Sequence, residues 1–347
     1  MIRRSSLNIN QANKGKIATL NLLVEEMTKV VNLYINEIWN QKDFSSKFIT
    51  FKVETYLSAR LQQALGKQAL EIVKSQRKRK KKIKPTFTGT VFNLDSRFVD
   101  FQYDNNSFDI WIRLKSLGNK IQLKLPTNKH KHYNKFKNWN KNKSIRLVKK
   151  HEEFFIEVFF EKEAPKLKKK GKTIGVDCGY KELLVSSNNL SYDDGLEKQY
   201  EKIARKKQGS KAFKRALIER NNLINQSLNH LDLNNIKEIV AEDLKDVKKG
   251  KKNKKRKISK KFMNKLQRWS YPKVLGKLQQ MTEEVGVLLT KVNPAYTSQK
   301  CCNCGIICKS NRKGKIYKCI CGNEIDADLN ASINLSHMGV YSPHVSY

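Results

Sequence analysis

Thr173-Ile174-Gly175-Val176-Asp177-Cys178-Gly179 is the stretch on which the fold turns. An apolar, partly β-branched run that stops at an acid and a glycine reads as a buried strand with a carboxylate at its end. Leu183-Leu184-Val185-Ser186 follows as its hairpin partner. The same pattern returns at Ile236-Lys237-Glu238-Ile239-Val240-Ala241-Glu242-Asp243-Leu244, a second apolar strand that ends in carboxylates. A long charged helix is expected between them, from about Leu196 to Leu231. Lys248 to Lys261 is densely basic without hydrophobic periodicity and reads as a loop. Phe262 to Val285 returns to helical spacing, and Val287 to Val292 supplies one more strand before Pro294. Strand, hairpin, helix, strand, helix, strand and a last helix make an α/β order with a mixed sheet.

The tail adds metal chemistry. Six of the seven cysteines fall between Cys301 and Cys321, and in a reducing compartment such clustering favours zinc over disulfides. Cys301 and Cys304 form a C-x2-C pair, and Cys319 and Cys321 a tighter C-x-C pair, so four thiolates around a structural Zn²⁺ are expected. Cys302 and Cys308 are spare, and Cys308 is an alternative ligand. Cys178 reads as a packed strand residue. Directly after the cysteines come Asp326-Ala327-Asp328-Leu329-Asn330-Ala331-Ser332, an acidic pair opening a helix.

Asp177 and Glu242 at the ends of neighbouring strands, with Asp328 on the last helix, would complete a carboxylate triad. This is the ribonuclease H arrangement, in which acids project from central strand ends and from a terminal helix. Three such acids are costly together unless cations neutralise them, and an all-oxygen donor set suits Mg²⁺ or Mn²⁺. Each acid also has a plainer role open to it. Asp177 can start a turn, Glu242 and Asp243 can cap the next segment, and Asp326 and Asp328 both suit a helix N-terminus. Asp326 is assigned to the helix start and Asp328 to the metal.

Composition points to polyanions. The 71 Lys and Arg face 32 Asp and Glu, a formal charge of +39 over 347 residues. No apolar stretch of about eighteen residues occurs, and the start Met1-Ile2-Arg3-Arg4-Ser5 lacks an apolar signal core, so a cytoplasmic, nucleoid-associated protein with no membrane partner is expected. Upstream, Ile2 to Ile9 reads as a lone strand. Helical spacing runs from Ile17 to Ile38 and from about Val53 to Val73, ending in the basic run Arg77 to Lys82. From Phe87 to Glu163 the period drops to two, giving five strands at Phe98–Tyr103, Phe108–Leu114, Ile121–Leu125, Ile145–Leu147 and Phe154–Phe160. A small β-barrel is the expected closure. Between strands, Lys129 to Trp139 interleaves lysines with Tyr133, Phe136 and Trp139, a pattern that suits phosphate contact and base stacking. His130 and His132 have no partner at metal-ligand spacing. Pro165 to Lys172 reads as a basic linker.

These stretches together resemble TnpB, the insertion-sequence-encoded, RNA-guided DNA nucleases, and the related miniature type V CRISPR effectors. The likeness runs through Gly175-Val176-Asp177, Val240-Ala241-Glu242-Asp243-Leu244, Trp269-Ser270-Tyr271 and Val292 to Cys301, then Cys304-Gly305, Cys319, Cys321-Gly322 and Asp328-Leu329-Asn330-Ala331. It covers about residues 172 to 336. The resemblance implies an α/β plus β chain whose C-terminal half is an RNase H-like (RuvC) nuclease, 172–295 and 325–337. A zinc-ribbon target-nucleic-acid-binding module, 296–324, is inserted in it, and 338–347 is a tail. Asp177, Glu242 and Asp328 fall on the three RuvC acids. The N-terminal half resembles the family in order only: a wedge-like β-barrel, 1–10 and 87–165, with a helical recognition insertion, 11–86. The implied partners are a guide RNA from the element and double-stranded target DNA. Two departures stand out, the C-x-C pair where C-x2-C is usual and a short helical insertion. The implied activity is guide-directed hydrolysis of DNA. The alternatives are a cleavage-deficient RNA-guided repressor and a strand-transfer transposase.

Overall fold

A computed structural model describes residues 1–41, 49, 51–105, 107–192, 195–244, 264 and 266–340. The basic stretch Lys248 to Lys261 and residues 341–347 lie outside them. The chain divides into two compact units, Met1–Glu163 and Ala164–Tyr347.

The first unit opens with strand β1 (Ile2–Asn8) and two helices, α1 (Lys14–Asn40) and α2 (Ala59–Arg77). Asn13 caps α1 by accepting from Lys16 N at 2.9 Å, and Ser58 caps α2 by accepting from Leu61 N. Leu20, Leu23, Met27, Val30, Val31, Tyr34 and Ile38 form the buried stripe that the helical spacing predicts. The basic run begins with a packing residue, because the Arg77 guanidinium donates to Ile38, Trp39 and Gln41 carbonyls and closes the end of α1.

Six strands follow: β2 (Val91–Leu94), β3 (Val99–Asn105), β4 (Phe108–Leu114), β5 (Leu123–Thr127), β6 (Asn140–Lys150) and β7 (Glu153–Glu161). Sequence pattern predicts five of them. It misses β2, whose four residues are too short to display an alternating pattern. Among the described residues the ladders form two antiparallel sheets, β1-β7-β6-β2 and β3-β4-β5, which share one core with the helices. On β7, Phe154, Ile156, Val158 and Phe160 point inward, and this period of two fixes the register against β1 and β6.

The stretch Lys129 to Trp139 departs from expectation. It forms a short helix, α3 (Lys131–Asn134), and sends Tyr133 and Phe136 into the core, at 7% and 2% exposure. Phe136 stacks on Phe160 at 5.3 Å, with the Trp139 ring edge-on at 5.2 Å. Its aromatic residues therefore pack the unit, and its lysines, histidines and asparagines lie toward the outside. His130 and His132 are bonded to the Ser6 carbonyl and the Ser5 hydroxyl.

In the second unit a five-stranded sheet has the order β10-β9-β8-β11-β12, from β8 (Lys172–Asp177), β9 (Leu184–Ser186), β10 (Ser191–Tyr192), β11 (Ile236–Glu242) and β12 (Leu288–Val292). β8, β11 and β12 are parallel, while β9 and β10 return antiparallel. The long helix expected from Leu196 to Leu231 is two helices, α4 (Leu196–Ala204) and α5 (Lys211–Asn229). Gly209, at φ 83°, turns the chain between them, and Ser210 caps α5 by accepting from Phe213 N. Helix α6 (Tyr271–Val285) carries Pro272 in its first turn and ends at Gly286, φ 70°. Spacing alone predicts an unbroken helix from Phe262, but Trp269 and Ser270 stand outside any helix. The ring of Pro272 would clash with the carbonyl four residues back and offers it no N–H, so the chain must start a new helix there. A small sheet of β13 (Arg312–Lys313), β14 (Ile316–Lys318) and β15 (Glu324–Asp326) precedes α7 (Ala327–Ser336). Cys178 is buried just past the end of β8.

Candidate active site and metal centre

The site begins with strand register. Parallel pairing sets Val176 beside Ala241, so Asp177 and Glu242 leave neighbouring strands at the same carboxyl end, the edge where open parallel sheets bind ligands. Gly175 brings the third acid. A Cβ built there would lie 1.9 Å from the Ser332 carbonyl and 2.5 Å from Ser336 N, so only glycine lets α7 lie directly on β8. Asp328, in the first turn of α7, then lines the same cleft of about 680 Å³ as Asp177 and Glu242. Asp326 has the other role: its Oδ1 accepts from Asp328 N at 2.9 Å and Leu329 N at 3.0 Å and starts the helix.

Electrostatics makes this cleft unusual. Burial, reinforced by the nearby Glu242 and Asp328, pushes Asp177 up to about 8. Glu242 is also raised, first by burial, against the pull of the Thr297 hydroxyl and Arg312. Thr297 Oγ1 donates to Glu242 Oε1 at 2.5 Å, and Arg312 donates to Asp328 Oδ1 at 2.6 Å. One guanidinium thus stands among three acids. The donors offered by the acids are all oxygen, the set that a hard divalent cation takes. Trp269 closes one wall by donating from Nε1 to the Gly179 carbonyl at 2.8 Å.

The cysteines form the second centre. Cys301, Cys304, Cys319 and Cys321 hold their four sulfurs within 4.8 Å of one another, and they are the one group of His, Cys, Asp or Glu side chains gathered this way among the described residues. Cys301 and Cys321 sulfurs are 3.8 Å apart, Cys304 and Cys319 3.6 Å. Zn–S bonds of about 2.3 Å at tetrahedral angles set sulfur pairs at about 3.8 Å, close to both of these separations. Burial opposes ionisation of Cys301, yet N–H groups of Cys304 and Asn303 and the Asn323 amide bring it down to about 6, as a thiolate ligand requires. The spare thiols turn elsewhere. Cys302 accepts from Asn323 Nδ2, and Cys308 lies against Ser310 Oγ at 3.0 Å.

The two centres are joined by a polar clamp that sequence reasoning does not find. Asn330, fully buried, donates to the Lys300 carbonyl at 2.8 Å and accepts from Cys302 N at 2.9 Å. One turn on, Asn334 donates to the carbonyls of Thr297 and Lys300. Their i, i+4 spacing on a helix bearing an acid is the available signal. Thr297 stands within the Tyr-Thr-Ser-Gln run that precedes the first cysteine pair, whereas Arg312, one cation among many, gives no signal.

Residues 271–335 match the model of the Cas12f1-like, TNB domain. Over 73 residues the chain is 44% identical to the CRISPR-associated endodeoxyribonuclease Cas12f1 of Sulfoacidibacillus thermotolerans, a stretch covering 20% of this chain and 17% of that protein. Across 93% of this chain and 83% of the other, the fold matches the protein of a cryo-EM structure of the Cas12f1–sgRNA–target DNA complex, with a TM-score of 0.61 at 15% identity. Residues 271–335 thus resemble the Cas12f1-like, TNB domain, and the fold of the chain resembles that of the Cas12f1 protein. The mini-RNA-guided endonuclease CRISPR-Cas_phi3 aligns over 99% of this chain and 94% of its own length at 11% identity, with a TM-score of 0.46. The family-model match spans α6, β12, the four cysteines and nearly all of α7, while the strands bearing Asp177 and Glu242 lie outside it. Among the described residues no helix is long and apolar enough to cross a membrane.

Proposed function

We propose that this protein is an RNA-guided, metal-dependent DNA endonuclease of a mobile element. The observation that carries the reading is the convergence of Asp177, Glu242 and Asp328, from two parallel strands and a terminal helix, on one cleft beside Arg312. Three strands antiparallel in succession and two more in parallel, with the last helix against the first strand, support the reading of 172–295 and 325–337 as a RuvC nuclease of ribonuclease H type. In the same reading 296–324 is the zinc-ribbon module, 1–10 with 87–165 a wedge-like barrel, and 11–86 the recognition insertion. The partners are a guide RNA and double-stranded DNA matching it. The excess of 39 positive charges supports both, because phosphate neutralisation dominates nucleic-acid affinity.

Asp177, Glu242 and Asp328 would hold Mg²⁺ or Mn²⁺. Bound there, the ions supply the charge that activates water and stabilises the leaving oxygen of a phosphodiester. The protein's own groups do the positioning. Thr297 fixes the Glu242 carboxylate, Arg312 offsets the acids and is placed to meet a phosphate, and Trp269 walls the cleft. Cys301, Cys304, Cys319 and Cys321 would hold Zn²⁺ as a closed structural site, and the Asn330 and Asn334 clamp ties that site to the helix bearing Asp328. A cleavage-deficient repressor has no need of three acids in one cleft.

The test is to co-express the protein with its flanking genomic sequence, sequence the bound RNA and assay Mg²⁺-dependent cleavage of matching DNA. A specific RNA and cleavage that Asp177→Ala abolishes are expected. No co-purifying RNA, or equal cleavage by the variant, refutes the reading.

A further inference from the structure

The first unit carries an aromatic and basic patch remote in sequence from the acids of the cleft. Between Asp109 and Glu152 the chain contains no acid, and lysines recur throughout. Within this region the rings of Lys129 to Trp139 are used by the core, so any exposed ring lies elsewhere. Among the described residues of this unit two tyrosines are exposed, Tyr56 at 37% and Tyr103 on β3 at 41%, and of the two Tyr103 has lysine ammonium groups over its ring. Phe101, two residues earlier, presents its ring nearly parallel to that of Tyr103, at 10° and 6.3 Å. Lys141 Nζ sits 3.4 Å from the Phe101 centroid and 4.8 Å from that of Tyr103, and it donates to the Tyr103 hydroxyl. Lys129 Nζ lies over the same tyrosine ring at 5.5 Å.

Asp109 on β4 accepts from the backbone N–H of Lys129, and Asp100 on β3 is held by Arg113 and Lys115. A ring flanked by two ammonium groups fits an unpaired nucleotide, with the base on the ring and the phosphates on the lysines. Next to Lys129, His130 is exposed, and its Nε2 bonds the Ser6 carbonyl. Since a carbonyl only accepts, that nitrogen carries the proton, and Nδ1 of the neutral ring is an acceptor. A ribose 2′-hydroxyl can donate to such an acceptor and deoxyribose cannot.

We propose that Tyr103, with Lys129 and Lys141, is a stacking platform for an unpaired base of RNA. The platform stands independently of the acid cleft. To test it, full-length Asp177→Ala protein is stripped of nucleic acid in high salt, and its binding to a labelled short oligouridine and to the deoxyuridine counterpart is measured by anisotropy. Cleavage plays no part in the readout, so failure of the nuclease reading leaves this test intact. Tyr103→Ala is expected to weaken RNA binding about tenfold, and Tyr103→Phe to retain most of it. Lys129→Ala with Lys141→Ala should lower the slope of log affinity against log salt by about 1.4, about 0.7 for each single-strand phosphate no longer neutralised. Crosslinking to 4-thiouridine RNA, read by peptide mass spectrometry, should mark the Tyr103 peptide even if the alanine variant folds poorly. Unchanged affinity in a folded Tyr103→Ala protein, equal binding of DNA and RNA, or adducts confined to other peptides would each overturn the proposal.

Discussion

The cysteine centre and the acid cleft stand side by side and are built in opposite ways. The thiols come from two short pairs between Cys301 and Cys321, and local turns gather them to metal spacing within 4.8 Å. The acids come from positions as distant as Asp177 and Asp328, and only the sheet register and the close approach at Gly175 unite them. The first centre is organised for its ion in advance. The second is electrostatically frustrated, with one carboxylic acid pushed to about 8 and Asp328 held by Arg312. The sulfur cluster is thereby set by local sequence and the acid cleft by topology.

If that contrast holds, the largest effect should come from the local centre. Structural zinc sites bind with about 10–16 kcal/mol of apparent free energy that is also folding free energy. Cys304→Ser, or chelation, should release the zinc and remove hydrogen-exchange protection from residues 300–326, while the sheet of the same unit stays protected. Protection that persists in the variant would mean the sulfur cluster holds no metal.

A smaller effect, on the topological centre, is expected from Gly175→Ala. The added methyl would meet helix backbone at 1.9 Å, which cannot rotate aside as a side chain would. A destabilisation of about 1–3 kcal/mol is expected, in the range of core overpacking. Denaturant midpoints check it, and zinc content should be unchanged. A neutral substitution would show that α7 does not depend on that close approach.

A third expected effect is on pH dependence. With an ordinary value of 3.8 raised to about 8, Asp177 favours the folded, metal-free state when protonated. That contribution is complete below about pH 4 and is lost as the pH rises through 8; the raised Glu242 acts in the same direction. Metal-free protein should therefore lose stability from pH 4 to 8, and added Mg²⁺ should restore it increasingly toward the upper end, because the ion displaces the proton. Asp177→Asn should flatten the profile, read as melting temperature against pH with and without Mg²⁺. A profile identical in the variant would contradict the frustrated cleft.

The same contrast explains what is legible in the sequence. Spacing points to Cys301, Cys304, Cys319 and Cys321 but leaves Cys308 open until the fold gathers the four sulfurs, and the carboxylates are suggested because apolar strands visibly end at Asp177 and Glu242. Arg312 is not, since nothing local separates it from the other cations and its role comes from the fold that brings it to Asp328. The break between α4 and α5 is written as Gly209-Ser210 but is outweighed by helical spacing on both sides. Tyr133 and Phe136 read as surface residues from sequence because a segment without periodicity does not tell which rings point inward. Tyr103 counts there only as one strand residue among others, and its exposure emerges from the packing of β3.

The most direct test of the central account is a Mn²⁺ titration of zinc-loaded protein, followed by electron paramagnetic resonance, for the intact chain and for Asp177→Ala, Glu242→Ala and Asp328→Ala. The account predicts that each substitution abolishes or sharply weakens Mn²⁺ binding while zinc stays at one per chain. Mn²⁺ binding unchanged in all three variants would contradict it.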